Sequence, residues 1–143
     1  MKLHLVTVGK PKLAYALAGF DEYFSRLSRM HTVRHTIIAD KYAYDSAKII
    51  DAVKGTVVCI TDIHGMQYSS EALAGFLANR ELEAKEISFV IGGPEGLTET
   101  VRAAATFTWS FGPLTLPHDL AQIVMLEALY RASTINAHLP YHK

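Results

Sequence analysis

Ile87-Ser88-Phe89-Val90-Ile91 runs straight into Gly92-Gly93-Pro94-Glu95-Gly96, and the reading of the chain turns on this join. The first half is an apolar run of strand length, and the second packs three glycines and a proline into five residues. A buried strand ending in a turn poor in side chains is where an open α/β sheet leaves room for a ligand. Glycines there let backbone N–H and C=O groups come close to a bound molecule, such as the edge of a purine ring. The turn has neither the G-x-G-x-x-G spacing of a dinucleotide site nor the G-x-x-x-x-G-K of a P-loop, so it does not read as a phosphate cradle. Further on, Pro113-Leu114-Thr115-Leu116-Pro117-His118 is apolar yet loop-like, and suits a ligand face. Together the two loops imply one small-molecule site built largely from backbone.

Outward from this join, strand and helix patterns alternate. Strands are expected at Leu3–Val8, Val33–Ala39, Thr56–Ile63, Ile87–Ile91 and Thr106–Ser110. Helices are expected over Leu13–Arg29, Ala43–Val53 (opened by Asp45 or Ser46), Ser69 or Ser70 to Leu82, Glu99–Ala105 (capped by Thr98) and Asp119–Ala137. Strands joined by helical crossovers make a parallel sheet covered on both faces, an α/β/α sandwich. No repeat or linker interrupts the series, so residues 1–143 read as one domain. The last helix is apolar around most of its circumference, through Ala121, Ile123, Val124, Met125, Leu126, Ala128, Leu129, Ala132 and Ile135. Such a helix is buried on more than one side, which in a small domain points to a homodimer.

Composition narrows the function. Fourteen basic side chains balance fourteen acidic ones, which argues against wholesale coating of nucleic acid but leaves room for a local basic patch. The one cysteine, Cys59, lies in an apolar run and reads as core, in a reducing compartment. No targeting segment and no membrane span is read, so a cytoplasmic protein is expected. His31 and His35 flank a β-branched run and there is no H-E-x-x-H, so no metal site is expected. No G-x-S-x-G elbow is present. Asp62, at the end of the third strand, reads either as an acceptor for a ribose or amine or as a turn cap. The tail His138-Leu139-Pro140-Tyr141-His142-Lys143 reads either as a solvated end or as a flap over the site; with Arg131, Lys10 and Lys12 it would supply a local cationic surface.

Taken jointly, Met1-Lys2-Leu3, Ile91-Gly92-Gly93-Pro94-Glu95-Gly96, Leu114-Thr115-Leu116-Pro117-His118, Leu129-Tyr130-Arg131-Ala132 and Pro140-Tyr141-His142-Lys143 resemble the RlmH-type methyltransferases of the SPOUT class, in order and over the full chain. The resemblance implies a sheet whose C-terminal part is tied into a trefoil knot, and a homodimer built around it. It implies an S-adenosylmethionine-dependent enzyme that methylates N3 of a pseudouridine in a hairpin loop of large-subunit (23S) ribosomal RNA, on the assembled ribosome. The cofactor would be held near Ile60 and Thr61, by Gly92 and Gly93, and by Pro113, Leu114, Thr115, Leu116, Pro117 and His118. Arg131, Tyr141 and His142 would position the target base and stabilise its developing anion, with His118 assisting. Two other readings remain at this point: a non-catalytic RNA- or ribosome-binding module of the same fold, and a flavodoxin-like nucleotide binder.

Overall fold

Ile87–Ile91 is a strand with all five residues buried, because it lies at the centre of the sheet. In the computed structural model, which describes residues 1–143, strands β1 (Lys2–Val8), β2 (Thr32–Ile38), β3 (Val57–Gln67), β4 (Ile87–Ile91) and β5 (Phe107–Ser110) alternate with helices α1 (Ala14–Ser28), α2 (Ser46–Ala52), α3 (Ser70–Leu82), α4 (Glu99–Ala104) and α5 (His118–Asn136). The sheet order is β2-β1-β4-β3-β5, and every pair is parallel. From β1 the chain moves to one side, to β2; from β4 it moves to the other, to β5. The order therefore reverses between β1 and β4, which opens a crevice beyond their carboxyl ends.

Alternation along the strands divides the core in two. Leu3, Leu5, Cys59, Ile87 and Phe89 face α1, α3 and α5, meeting Phe20, Leu73, Leu77, Met125, Leu126 and Leu129. Val6, Val8, Val58, Ile60 and Val90 face α2 and α4, meeting Ile49, Val53, Leu97 and Val101. Both faces of the sheet are thus covered, as the crossover pattern requires. Cys59 is 2% exposed, and burial pushes its thiol pKa up to about 12; it packs as core.

Local chemistry sets the helix starts. Asp45, Ser69 and Thr98 accept from the backbone N–H of Lys48, Ala72 and Val101, capping α2, α3 and α4. The short helix expected over Ala43–Val53 starts at Ser46 with Asp45 as its cap, and a separate 3₁₀ turn at Asp40–Tyr42 precedes it. At α1 the N-cap is Leu13, which has no side chain to offer; Asp119 of α5 supplies the oxygen, its Oδ2 accepting from Lys12 N at 2.8 Å and Leu13 N at 3.0 Å.

The third strand runs beyond its expected end at Ile63. Pairing with β5 breaks after Thr61↔Trp109 and resumes at Met66↔Trp109, so Asp62–Gly65 bulge from the ladder. A Cβ on Gly65 would sit 2.8 Å from backbone atoms of Thr108 and Trp109, so only glycine lets the bulge close against β5. From β5 at the sheet edge, residues 111–117 return across the carboxyl ends of the strands. Leu116 and His118 thereby come to line one hollow with Gly92, Gly93 and Gly96. α5 then packs beside α1 and α3, and no residue from His118 to Ile135 is fully exposed.

Candidate functional site

Two hollows lie at the carboxyl edge of the sheet. One, of about 200 Å³, is lined by Thr61, Asp62, Ile63, Trp109 and Phe111, with Gly112, Leu114, Thr115 and Leu116 of the following loop. The other, of about 180 Å³, is lined by Thr61, Ile91, the glycine turn, Leu116 and His118. Both are bordered by Thr61, Leu116 and Ala121, so they are two lobes of one cleft with Leu116 between them. Together they reach the lower range of small-molecule sites, roughly 300–1,000 Å³. One lobe is aromatic and apolar; the other is mostly main chain.

The glycine turn is built for close approach. A Cβ on Gly92 would stand 2.8 Å from the Gly96 carbonyl carbon and 2.9 Å from Leu97 Cγ, so the turn has no space there. Gly96 has φ +81°, the left-handed region, and its N–H donates to the Gly93 carbonyl at 2.9 Å. Gly93 differs: a Cβ there would meet Ala43 and Val8 at 3.5 Å, an ordinary contact.

Of the residues expected to hold a ligand, Thr61, Gly92, Gly93, Leu114, Thr115, Leu116 and His118 line the cleft. Ile60 does not: strand alternation points it into the face covered by α2 and α4, where its neighbours enclose it at 0% exposure. Pro113 and Pro117 are exposed and line neither lobe; they bracket the loop, and Pro117 is the N-cap of α5. Leu114 is 77% exposed, an apolar side chain standing over the mouth of the cleft. Asp62 has both oxygens engaged, accepting from His64 N at 2.9 Å and pairing with Arg102 Nε at 2.9 Å, so its turn-capping role holds.

Trp109 and Phe111, perpendicular at 4.8 Å, wall the apolar lobe and were missed in the sequence reading. Their signal was there: both lie where β5 ends, at the same edge as the glycine turn. Gln122 was missed too. It sits one turn after His118, a polar residue in an apolar helix, and its Nε2 lies 2.8 Å from His118 Nε2. His31 and His35 hydrogen-bond separately, to Ser133 and Thr7.

The tail does not cover the cleft of its own chain. Arg131 lies thirteen positions along α5 from His118, roughly 20 Å of helix. Instead it forms a second polar cluster at the far end. Arg131 Nε and Nη2 donate to Glu127 Oε1 at 2.9 and 2.6 Å, and its guanidinium lies 4.8 Å from the centre of the Tyr141 ring. Tyr141 donates to Glu127 at 3.1 Å, while His142 bridges Arg131 at 3.2 Å and Glu71 at 2.8 Å. The Glu127 hydrogen bond raises the Arg131 pKa, so the cation persists. Burial, then the Tyr23 hydrogen bond, raises that of Tyr141, so it remains a phenol.

A doubly covered parallel sheet with a backbone-lined cleft at its switch point defines a small-molecule-binding α/β protein. Comparison with known sequences narrows this. A family profile described as "Predicted SPOUT methyltransferase" matches residues 1–142. Proteins named ribosomal RNA large subunit methyltransferase H are similar along the whole chain: 48% identity in Deinococcus radiodurans, with 100% of this chain and 99% of that one covered. The Deinococcus deserti protein is 44% identical with both chains fully covered, and the Acinetobacter baumannii protein 34% identical with 100% and 99% covered. Among solved structures, a probable methylase family protein from Haemophilus influenzae has the same fold, with TM-score 0.62 at 13% identity over 99% of this chain and 70% of that one. A Legionella pneumophila methyltransferase solved with SAM gives TM-score 0.54 at 11% identity, over 92% and 66%. The chain belongs to the SPOUT methyltransferase family, and the RlmH-type resemblance carried by its motifs is borne out.

Proposed function

We propose that this protein is an S-adenosylmethionine-dependent methyltransferase of large-subunit ribosomal RNA, its target N3 of a pseudouridine in a hairpin loop of the assembled ribosome. The observation that carries the reading is the two-lobed cleft between the glycine turn and the Leu114–His118 loop. The lining fits the cofactor: aromatic and aliphatic walls suit the purine, and exposed main-chain polar groups suit its hydrogen-bonding edge. The similarly named relatives and the SAM-bound neighbour support it. Thr61, Gly92, Gly93, Leu114, Thr115, Leu116 and His118 would hold the cofactor, which when bound supplies an electrophilic methyl group.

The chain's own task is orientation and charge. The cleft excludes water and aligns the acceptor nitrogen, an entropic contribution. The target imide must shed its proton, and a fixed cation stabilises the anion that develops. Arg131, held by Glu127 and backed by Tyr141, is the preorganised cation for this. Because it stands a helix length from the cleft of its own chain, we place it at the cleft of a second copy: the enzyme works as a homodimer with sites shared between subunits. Residues 1–143 act as one domain in the cytoplasm.

Two experiments test the reading. Calorimetry with S-adenosylmethionine gives saturable binding to the wild type; no binding would favour the non-catalytic RNA-binding reading. Mass spectrometry of ribosomal RNA from a deletion strain shows one methyl group missing from a pseudouridine, and an unchanged modification profile would remove the assigned substrate.

A further inference from the structure

We propose that Gln122 is a positioning residue that fixes the tautomer of His118, holding the imidazole hydrogen on Nδ1. The functional part rests on the reading above, that the glycine lobe holds S-adenosylmethionine.

Gln122 is fully buried, on the turn of α5 between His118 and the apolar core residues Met125 and Leu126. Its Nε2 lies 2.8 Å from His118 Nε2. An amide nitrogen offers protons and no usable lone pair, so the imidazole nitrogen is the acceptor and carries no hydrogen. A second contact settles which way the amide points. The same Nε2 donates to the Gly9 carbonyl at 3.4 Å. Turned over, the amide would set its oxygen against that carbonyl, two acceptors face to face.

Gly9 is itself tied into the sheet. Its carbonyl also accepts from Thr7 Oγ1 at 2.8 Å, and Thr7 Oγ1 accepts in turn from His35 Nε2 at 2.7 Å. Donors therefore run one way from β2 through Thr7 to Gly9, and from Gln122 both to Gly9 and to His118. The arrangement has a cost: Gln122 Oε1 is buried without a partner. A leucine or methionine would fill the space without that orphan, so packing alone does not explain an amide here. Proton control of His118 does. His118 lines the glycine lobe, and a hydrogen fixed on Nδ1 leaves that nitrogen a donor for an acceptor group of the bound cofactor.

Long-range ¹H–¹⁵N spectra of histidine-labelled protein at mildly alkaline pH test this, with the His118 signals assigned by their absence in His118→Asn. The expected pattern is a protonated Nδ1 and a bare Nε2. In Gln122→Met the pattern shifts toward Nε2–H. In Gln122→Glu, where a carboxylate replaces the donor, Nε2 becomes the protonated nitrogen. A wild type protonated on Nε2, or a pattern unchanged by Gln122→Met, overturns the assignment. Should Gln122→Glu not fold, the wild type and the methionine variant decide. Calorimetry with S-adenosylmethionine reads the role: Gln122→Met, folded, weakens binding on the order of 10-fold. Unchanged affinity overturns the positioning role. A wild type that does not bind the cofactor overturns the functional reading, while the spectrum still decides the tautomer.

Discussion

Gly92 and Gly93 are adjacent and do different work. Alanine at Gly92 would drive a Cβ to 2.8 Å from main chain, so Gly92→Ala is expected to cost roughly 1–3 kcal/mol and to distort the turn. Gly93→Ala finds ordinary contacts with Ala43 and Val8 at 3.5 Å and is expected to keep the fold while adding bulk to a residue that lines the lobe. Urea unfolding beside cofactor calorimetry separates them: the first loses stability and binding, the second binding alone. His4 supplies a pH test. It is wholly buried, its Nδ1 meets Ser88 Oγ at 2.8 Å and its Nε2 meets Thr36 Oγ1 at 2.8 Å. Burial, with Arg34 adding, lowers its pKa to about 4. The unfolded chain takes up that proton from about pH 6.5 downward, so it binds more protons than the folded one and stability falls between those two values. Thermal melts should show the decline, on the order of 2 kcal/mol from His4, and His4→Gln should lessen it, half-buried His35, its pKa also lowered to about 4, supplying a further part; an equal pH dependence in both proteins would contradict this assignment. At this scale the sequence concealed most. Ile60 and Thr61 look alike as ligand contacts, and only the pleat shows that the first turns inward.

Among the elements, Asp119 does what Leu13 cannot, closing the start of α1 from the start of α5. The backbone N–H of Leu13 and, next, of Lys12 hold its carboxyl below the usual range. A carboxyl depressed in the folded state stabilises it above the ordinary carboxylate pKa, and that support is lost as pH falls through the native value. Asp119→Ala is expected to cost about 1 kcal/mol and to speed hydrogen exchange at the Lys12 and Leu13 amides. Exchange unchanged at those amides would show that the contact is idle. Most elements were legible because local chemistry declares them: Ser69, Thr98 and Asp45 are caps, and Ile87–Ile91 has both faces apolar. What local chemistry does not declare is pairing. The β3 bulge depends on Gly65 meeting β5, and the start of α1 depends on a residue far along the chain. The cleft was visible as two loops and invisible as two lobes, since Trp109 and Phe111 enter it only through the strand order.

For the whole molecule, the separation of the two polar centres makes a definite claim. The purified protein should run at twice the 15.8 kDa chain mass in light scattering. Mixed subunits, one carrying Gly92→Ala and the other Arg131→Ala, should recover part of the methyl transfer that each alone loses. A monomer, or no recovery on mixing, would return the tail to a solvated end. Within one chain Tyr141 and His142 turn to Glu127, Arg131 and Glu71 rather than to the cleft.

The bond from Asp119 to Lys12 and Leu13 also orders events in time. The ribosome makes the amino-terminal third of this chain long before residue 119 emerges, and β1 waits equally for β4 to give it a second neighbour. A nascent chain halted before Asp119 therefore carries an α1 with an unclosed end and an incomplete sheet. Such non-local closure slows folding and exposes strand edges while it lasts. Completion of the start of α1 thus waits on residue 119 and the helix that begins beside it.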